Sequence, residues 1–183
     1  VLSVEDLRVR NKKGITALDG VSFQVRRGEI VGIAGVEGNG QTELIECVAG
    51  MLRPDSGRVL LDGQDVTRMP VRKRREAGMS HIPEDRLKVG TAKTCTIRDN
   101  LITNRYYRKP YSKHGVMDNK ALMRLSDQMC QDYQIKTPDA TYLLSTLSGG
   151  NMQKVVFARE MEADPTLLVA AQPTRGIDIG AIE

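Results

Sequence analysis

Apolar side chains at Leu2, Val4, Leu7 and Val9, followed by the alternation Val21-Ser22-Phe23-Gln24-Val25, predict that the chain opens with half-buried strands. Residues 29–34 (Glu-Ile-Val-Gly-Ile-Ala) form a near-continuous apolar run, the pattern of a strand buried on both faces. That run feeds a glycine-rich loop over residues 35–42. Residues 42–49 then predict a helix that stops at Gly50. A turn over residues 54–57 leads to a strand at 58–61, which enters a hairpin at Asp62-Gly63. A short basic helix is predicted at 71–77, stopped by Gly78, with a strand at 79–82. Residues 84–117 read as loop-rich and basic. Asp118 is placed to cap a helix to about Tyr133, whose apolar face is Leu122, Met123, Leu125 and Met129. Pro138 interrupts the pattern before a helix that opens at Gly149 and carries Val155, Val156, Ala158 and Met161. Residues 166–171 predict a second buried strand, and residues 173–176 a turn. The sum is an α/β domain with a mostly helical insertion over residues 100–160 and no internal repeat or low-complexity linker.

Two glycine-rich segments carry the chemistry. In the first, Gly35-Val36-Glu37-Gly38-Asn39-Gly40-Gln41-Thr42 stands between a predicted strand and a predicted helix. This is the context in which a G-x-x-x-x-G-K-[ST] loop cradles phosphate. Gly35, Gly40 and Thr42 satisfy the template, whereas Gln41 holds the lysine position. Glycines let the backbone curl so that several N–H groups point inward, and Thr42 offers its hydroxyl to Mg²⁺. A hydrogen bond to a charged group is worth roughly 1.5–3 kcal/mol against roughly 0.5–1.5 for a neutral one, so Gln41 lowers nucleotide affinity by about tenfold or more without abolishing it. In the second, LSGG at residues 147–150 opens a helix, leaving the N–H groups of Gly149 and Gly150 beside the Ser148 hydroxyl at a positive helix end. A ligand-free glycine turn is the alternative for the first loop. The two segments together favour a nucleotide phosphate.

Composition narrows the setting. With 183 residues and 40% hydrophobic content the chain can bury the core of one domain. Its formal charge of +4 is too small an excess to argue for nucleic acid. No apolar run approaches the ~20 residues of a membrane-spanning helix, and no basic-then-apolar leader opens the sequence. Cys47, Cys95 and Cys130 share no metal-ligand spacing and read as reduced thiols, which fits a cytoplasmic setting. The basic run Arg72-Lys73-Arg74-Arg75 reads as a solvated helix face, with an anionic membrane surface or nucleic acid as alternatives. His81 and His114 read as structural or surface residues. Met117, Met123, Met129, Met152 and Met161 read as core filler.

The motifs resemble those of the ATP-binding cassette (ABC) ATPases across nearly the whole chain. LSGGNMQK (147–154) is similar to their signature and GVEGNGQT (35–42) to their Walker A loop. Residues 167–172 and 176–180 of LLVAAQPTRGIDIGAIE are similar to their Walker B strand and D-loop. The details resemble the second, C-terminal cassette of tandem ATP-binding subunits in bacterial simple-sugar and nucleoside importers. The resemblance implies a P-loop core sheet with an antiparallel β portion, formed by residues 1–95 and 161–183, and a helical subdomain over residues 95–160. It also implies a later strand with a switch histidine, so the sequence reads as truncated after the D-loop.

Departures from the family pattern sharpen the expectation. The metal-positioning aspartate and water-activating glutamate of Walker B correspond to Ala171 and Gln172. The Q-loop glutamine corresponds to Glu84, and no aromatic stands near residues 10–14 to stack an adenine. General-base assistance is typically worth about 10²–10⁴-fold. Together with the missing cation at Gln41, these changes imply a site that binds ATP weakly through Gly35, Gly38, Asn39, Gly40, Gln41, Thr42 and Glu43, with Mg²⁺ conditional, and that does not hydrolyse it. In the head-to-tail dimer that the resemblance implies, Leu147, Ser148, Gly149, Gly150 and Asn151 would complete a partner cassette's active site in trans. Asp178 of the D-loop would reach across the same interface.

Implied partners are a first cassette (same polypeptide or another chain), transmembrane permease subunits that Glu84, Asp85 and Arg86 help to meet, and, indirectly, a substrate-binding protein. A surface ion cluster is the plainer reading of those three residues. The implied location is the cytoplasmic face of the membrane, with no nucleic acid expected. A nucleic-acid-associated ABC ATPase and a non-binding structural or regulatory cassette are the alternatives.

Overall fold

The computed structural model describes residues 1–11, 14–36 and 38–173, which fall into two compact units. The first comprises Val1–His81 and Pro165–Val169, the second Ile82–Asp164 with the residues from Ala170 onward.

In the first unit, strands β1 (Leu2–Arg10), β2 (Thr16–Val25), β3 (Ser56–Leu61) and β4 (Gln64–Asp65) form an antiparallel sheet in the order β2-β1-β3-β4. Val4 lies opposite Phe23 on one side and Val59 on the other. Along β2, Val21, Phe23 and Val25 are half-buried while Ser22 and Gln24 are exposed, the alternation predicted from sequence. Helix α1 (Gln41–Ala49) lays Leu44, Cys47 and Val48 against Leu2, Val4, Leu7, Val9, Val59 and Leu61. Met79 of β5 (Met79–Ile82) and Leu167 of β8 (Leu167–Ala170) close the same core, and these two strands form a separate pair. Burial pushes the Cys47 thiol up to about 11, as expected of an inert core cysteine.

Helix α2 (Val71–Glu76) corrects the reading of the basic run. Arg72 and Lys73 pair with Glu76 at 3.1 and 2.9 Å, as on a solvated face. Arg74 is instead only 1% exposed, and its guanidinium donates to the carbonyls of Cys47, Val48, Thr67 and Met69 at 2.6–3.1 Å. It thus caps the C-terminus of α1, where carbonyls lack intrahelical partners and the helix dipole is negative. Gly50 (φ 83°) ends that helix in the left-handed region. A Cβ there would stand 2.7 Å from Arg74 Nε, so the capping side chain needs glycine as well.

The strand predicted at residues 29–34 is not present as such. These residues join none of the sheets, and Ile30, Val31 and Ile33 are 97, 41 and 55% exposed. An apolar run becomes a strand only where a neighbour pairs with its backbone, and no described strand pairs with this one.

The second unit is mostly helical. Helices α3 (Ile97–Ile102), α4 (Asn119–Asp132) and α5 (Gly149–Met161) share a core built from Ile97, Leu101, Met129, Cys130, Leu144, Met152, Val155 and Ala158. Asp118 caps α4 as predicted, accepting from Ala121 N at 2.9 Å, and Thr96 caps α3 from Asp99 N at 3.0 Å. Asn100, nearly fully buried, clamps the preceding loop through three bonds of 2.8–2.9 Å to the backbone of Ala92 and Thr96. Between α3 and α4 the loop-rich stretch contains a small hairpin, β6 (Ser112–Lys113) and β7 (Val116–Met117).

Candidate nucleotide site

In the first unit the glycine-rich loop leads straight into α1. Gly40 is the residue before the helix, left-handed at φ 94° and buried. A Cβ on it would lie 2.4 Å from the carbonyl oxygen of Ala17, so the loop sits against β2 at a distance only glycine allows. Asn39 N donates to Val36 O at 3.2 Å, closing a turn inside the loop. No side chain caps α1, and the first intrahelical bond of the loop–helix junction runs from Leu44 N to Gly40 O at 2.9 Å. The N–H groups of Gln41, Thr42 and Glu43 therefore present the positive end of the helix, which suits an anion. Thr42 is exposed beside them, and Glu43 adds a carboxylate to the same turn.

Gln41 is turned back into its own loop. Its Nε2 donates to Val36 O at 3.2 Å and occupies the space that a side chain at Gly35 would need. The residue at the lysine position is thus a neutral amide bonded across the bowl it lines. Gly38 (φ 86°) and Asn39 are exposed at the loop's outer edge; Glu37 lies outside the described residues.

The remaining predicted site residues belong to the second unit. Gln172 Nε2 donates to Glu84 Oε1 at 3.0 Å, so the loop after β5 and the residue beyond β8 meet through their side chains. Gln172 itself adopts φ 46°, a conformation non-glycine residues seldom take. Ala171 is 8% exposed, and its N–H donates to Ile82 O at 2.9 Å, leaving a buried methyl where the family resemblance expects the metal-positioning aspartate. Phosphate therefore fits the loop's N–H groups. Thr42 brings an exposed hydroxyl to the same helix start.

The signature segment is ordered by its own polar groups. Ser148 is the N-cap of α5; its Oγ accepts from Asn151 N at 3.4 Å and Asn151 Nδ2 at 3.1 Å. Asn151 Oδ1 in turn accepts from Lys136 N at 2.9 Å, fixing the helix start to the preceding loop. Leu147 packs on the helical core, while Ser148 and Gly149 are exposed and Gly150 half-buried with open space around its Cα. Further along α5, buried Gln153 donates to Pro173 O at 3.0 Å, joining the signature helix to the turn after Gln172. That tie was not anticipated, and neither was the buried pair Arg159–Glu160 (2.9 Å), whose guanidinium also reaches Gly90 O at 2.9 Å. A glutamine inside an apolar helix face is the signal that could have marked Gln153.

Asp85 accepts from Leu87 N and Lys88 N at 3.0 Å, capping the wide helical turn Arg86–Gly90, and so serves a local structural role. His81 is half-buried in β5 and His114 stands in the β6–β7 turn. Asp178 and the D-loop lie outside the described residues.

Comparison with known proteins agrees with this geometry. The sequence profile of the ABC transporter family matches residues 18–175. The guanosine import ATP-binding protein NupO of Bacillus subtilis (strain 168) is 44% identical over the whole chain, which spans 36% of that protein's length. The nucleoside import ATP-binding protein NupA of Lactococcus lactis is 39% identical over the same 183 residues, again 36% of its length. Among solved structures, the dimeric bacterial ABC transporter cassette MJ0796 superposes with a TM-score of 0.83 at 20% identity, covering 99% of this chain and 78% of that one. The fold is the α/β P-loop architecture of an ABC cassette.

Proposed function

Because the chain belongs to the ABC transporter family, we propose that it is a nucleotide-binding cassette of an ATP-driven importer for nucleosides or simple sugars, and the C-terminal one of a tandem pair. Its own site binds ATP weakly and does not turn it over. Its signature completes the active site of a partner cassette.

Gln41 carries this reading: its neutral amide is bonded to Val36 O, where a catalytic P-loop needs a cation on the β/γ-phosphates. Three further observations support it. Ala171 brings no metal ligand. Gln172 cannot accept a proton and is hydrogen-bonded to Glu84 at 3.0 Å. The signature is intact, with Ser148 capping α5 and Gly149 open to solvent. A chain that keeps the part used by its partner while losing the parts used by itself supports catalysis in trans. The names of NupO and NupA support nucleosides as cargo. Residues 1–95 with 161–183 would form the core and β portion, and residues 95–160 the subdomain that, with the segment after Pro83, transmits closure to the permease at the cytoplasmic face of the membrane.

Calorimetry with Mg²⁺–ATP on the chain tests the binding half. Heat that saturates in the low-millimolar range supports the reading. Tight micromolar binding would contradict it, and silence at every concentration would leave only the role in trans.

A further inference from the structure

We propose that the β6–β7 hairpin is a membrane-surface contact, docking on anionic lipid headgroups with its tip inserted at the headgroup–acyl boundary. The inference rests on the hairpin itself and does not require the importer reading. Residues 100–117 contain Arg105, Arg108, Lys109 and Lys113 and no Asp or Glu. They also hold three of the chain's five tyrosines, Tyr106, Tyr107 and Tyr111.

The hairpin turns through His114 (φ 52°) and Gly115 (φ 81°), a two-residue connection with both residues left-handed, which suits strand twist and makes a firm tip. Its base is anchored. Asn104 Nδ2 donates to Arg159 O at 3.0 Å, Arg105 pairs with Glu162 at 3.8 Å, and Asp118 N donates to Tyr111 O at 2.9 Å. Arg105 is thereby spent on structure, and the Asp118 carboxylate on capping α4. Lys109, Lys113 and the tip residues face solvent, and Val116 and Met117 are 73 and 46% exposed, with Tyr106 at 43%.

Exposed apolar residues beside a turn, flanked by lysines and tyrosines, with the adjoining Asp118 carboxylate engaged as the α4 cap, match what an anionic bilayer surface selects. The lysines gain from the surface potential, the phenols sit at headgroup depth and the tip buries apolar area. Single-stranded nucleic acid would need open aromatic faces for stacking. Here the Tyr106 and Tyr107 rings pack edge to face at 5.4 Å, and the Arg108 guanidinium lies 5.8 Å from the Tyr107 centroid.

Co-sedimentation of the 183-residue chain with phosphatidylcholine vesicles, with and without roughly one-third phosphatidylglycerol, tests the proposal. Partitioning should favour the anionic vesicles and weaken with salt. It should fall at least about 25-fold in Lys109→Glu/Lys113→Glu, at roughly fivefold per cation lost before any repulsion from the added carboxylates. Val116→Ser/Met117→Ser should weaken binding while keeping its salt dependence. Arg26→Glu/Arg27→Glu, an equal charge change on the other unit, should have little effect. Melting temperatures unchanged from the parent confirm that each variant is folded. Equal binding to both vesicle types, equal loss in the Arg26/Arg27 variant, or preferential retention on single-stranded RNA at matched salt would overturn it.

Discussion

Gln172 and Glu84 share a 3.0 Å hydrogen bond between an amide and a carboxylate, each standing where the family resemblance expects the other's chemistry. The amide neutralises nothing, yet it gives the carboxylate a donor and accepts no proton in return. Replacing it with an acid therefore does more than restore a missing base. In Gln172→Glu two carboxylates would face each other at hydrogen-bond distance, and one would have its pKa raised above its unfolded value. The variant should be about 1 kcal/mol less stable at neutral pH, a loss of roughly 2–4 °C in melting temperature. The deficit should shrink as pH falls through the raised pKa, where the shared proton is bound. Melting curves for both proteins from pH 4 to 8 check this, and a constant gap would show that the pair does not couple.

Restoring the missing cation should separate binding from turnover. Gln41→Lys replaces a neutral donor by a charged one, so ATP affinity should rise about tenfold. Phosphate release should stay at background, since Ala171 still offers no metal ligand. Calorimetry and a coupled phosphate assay on the same preparation read both outcomes.

The cap on α1 should matter more than any surface ion pair. Arg74→Met leaves the carbonyls of Cys47 and Val48 buried without their donors. The cost should be about 3 kcal/mol or more, and Arg74→Lys should recover little of it, because an ammonium cannot reproduce the guanidinium's planar fork. Urea denaturation of the three proteins measures the differences. Arg72→Gln, which removes one exposed ion pair, should change stability by less than about 1 kcal/mol.

Much of this architecture was legible in the residues. The alternation at Val21–Val25, the stop at Gly50, the cap at Asp118 and the helix start at Gly149 each state a local preference that the tertiary structure respects. What escaped were features set by distant partners. Nothing within Arg72–Arg75 says that the third residue turns inward, because its acceptors lie on α1 and on residues 67 and 69. The two-residue strands β6 and β7 are too short to show a period, and His114-Gly115 is not one of the usual two-residue hairpin signals. Residues 29–34 carry the composition of a buried strand, but a ladder needs a neighbour, and composition does not supply one. At the candidate site, the departures from the family pattern were visible as letters. That Gln41 bonds to its own loop and Gln172 to Glu84 became visible only from the side-chain geometry.

The trans role predicts a separation of effects in the full-length protein. Ser148→Arg places a bulky cation at the exposed start of α5, far in sequence from the P-loop. It should abolish most of the assembled transporter's ATPase activity while leaving this cassette's nucleotide affinity unchanged. An unchanged ATPase rate would remove the case for a functional signature.

The most direct test of the central claim is steady-state phosphate release by the purified chain at saturating Mg²⁺–ATP. A chain with an amide at the P-loop lysine position, and with Ala171 and Gln172 where the resemblance expects the Walker B acids, should release phosphate no faster than a Gly40→Asp control, in which the loop cannot pack on β2. Sustained release well above that control, retained through further purification, would contradict the account.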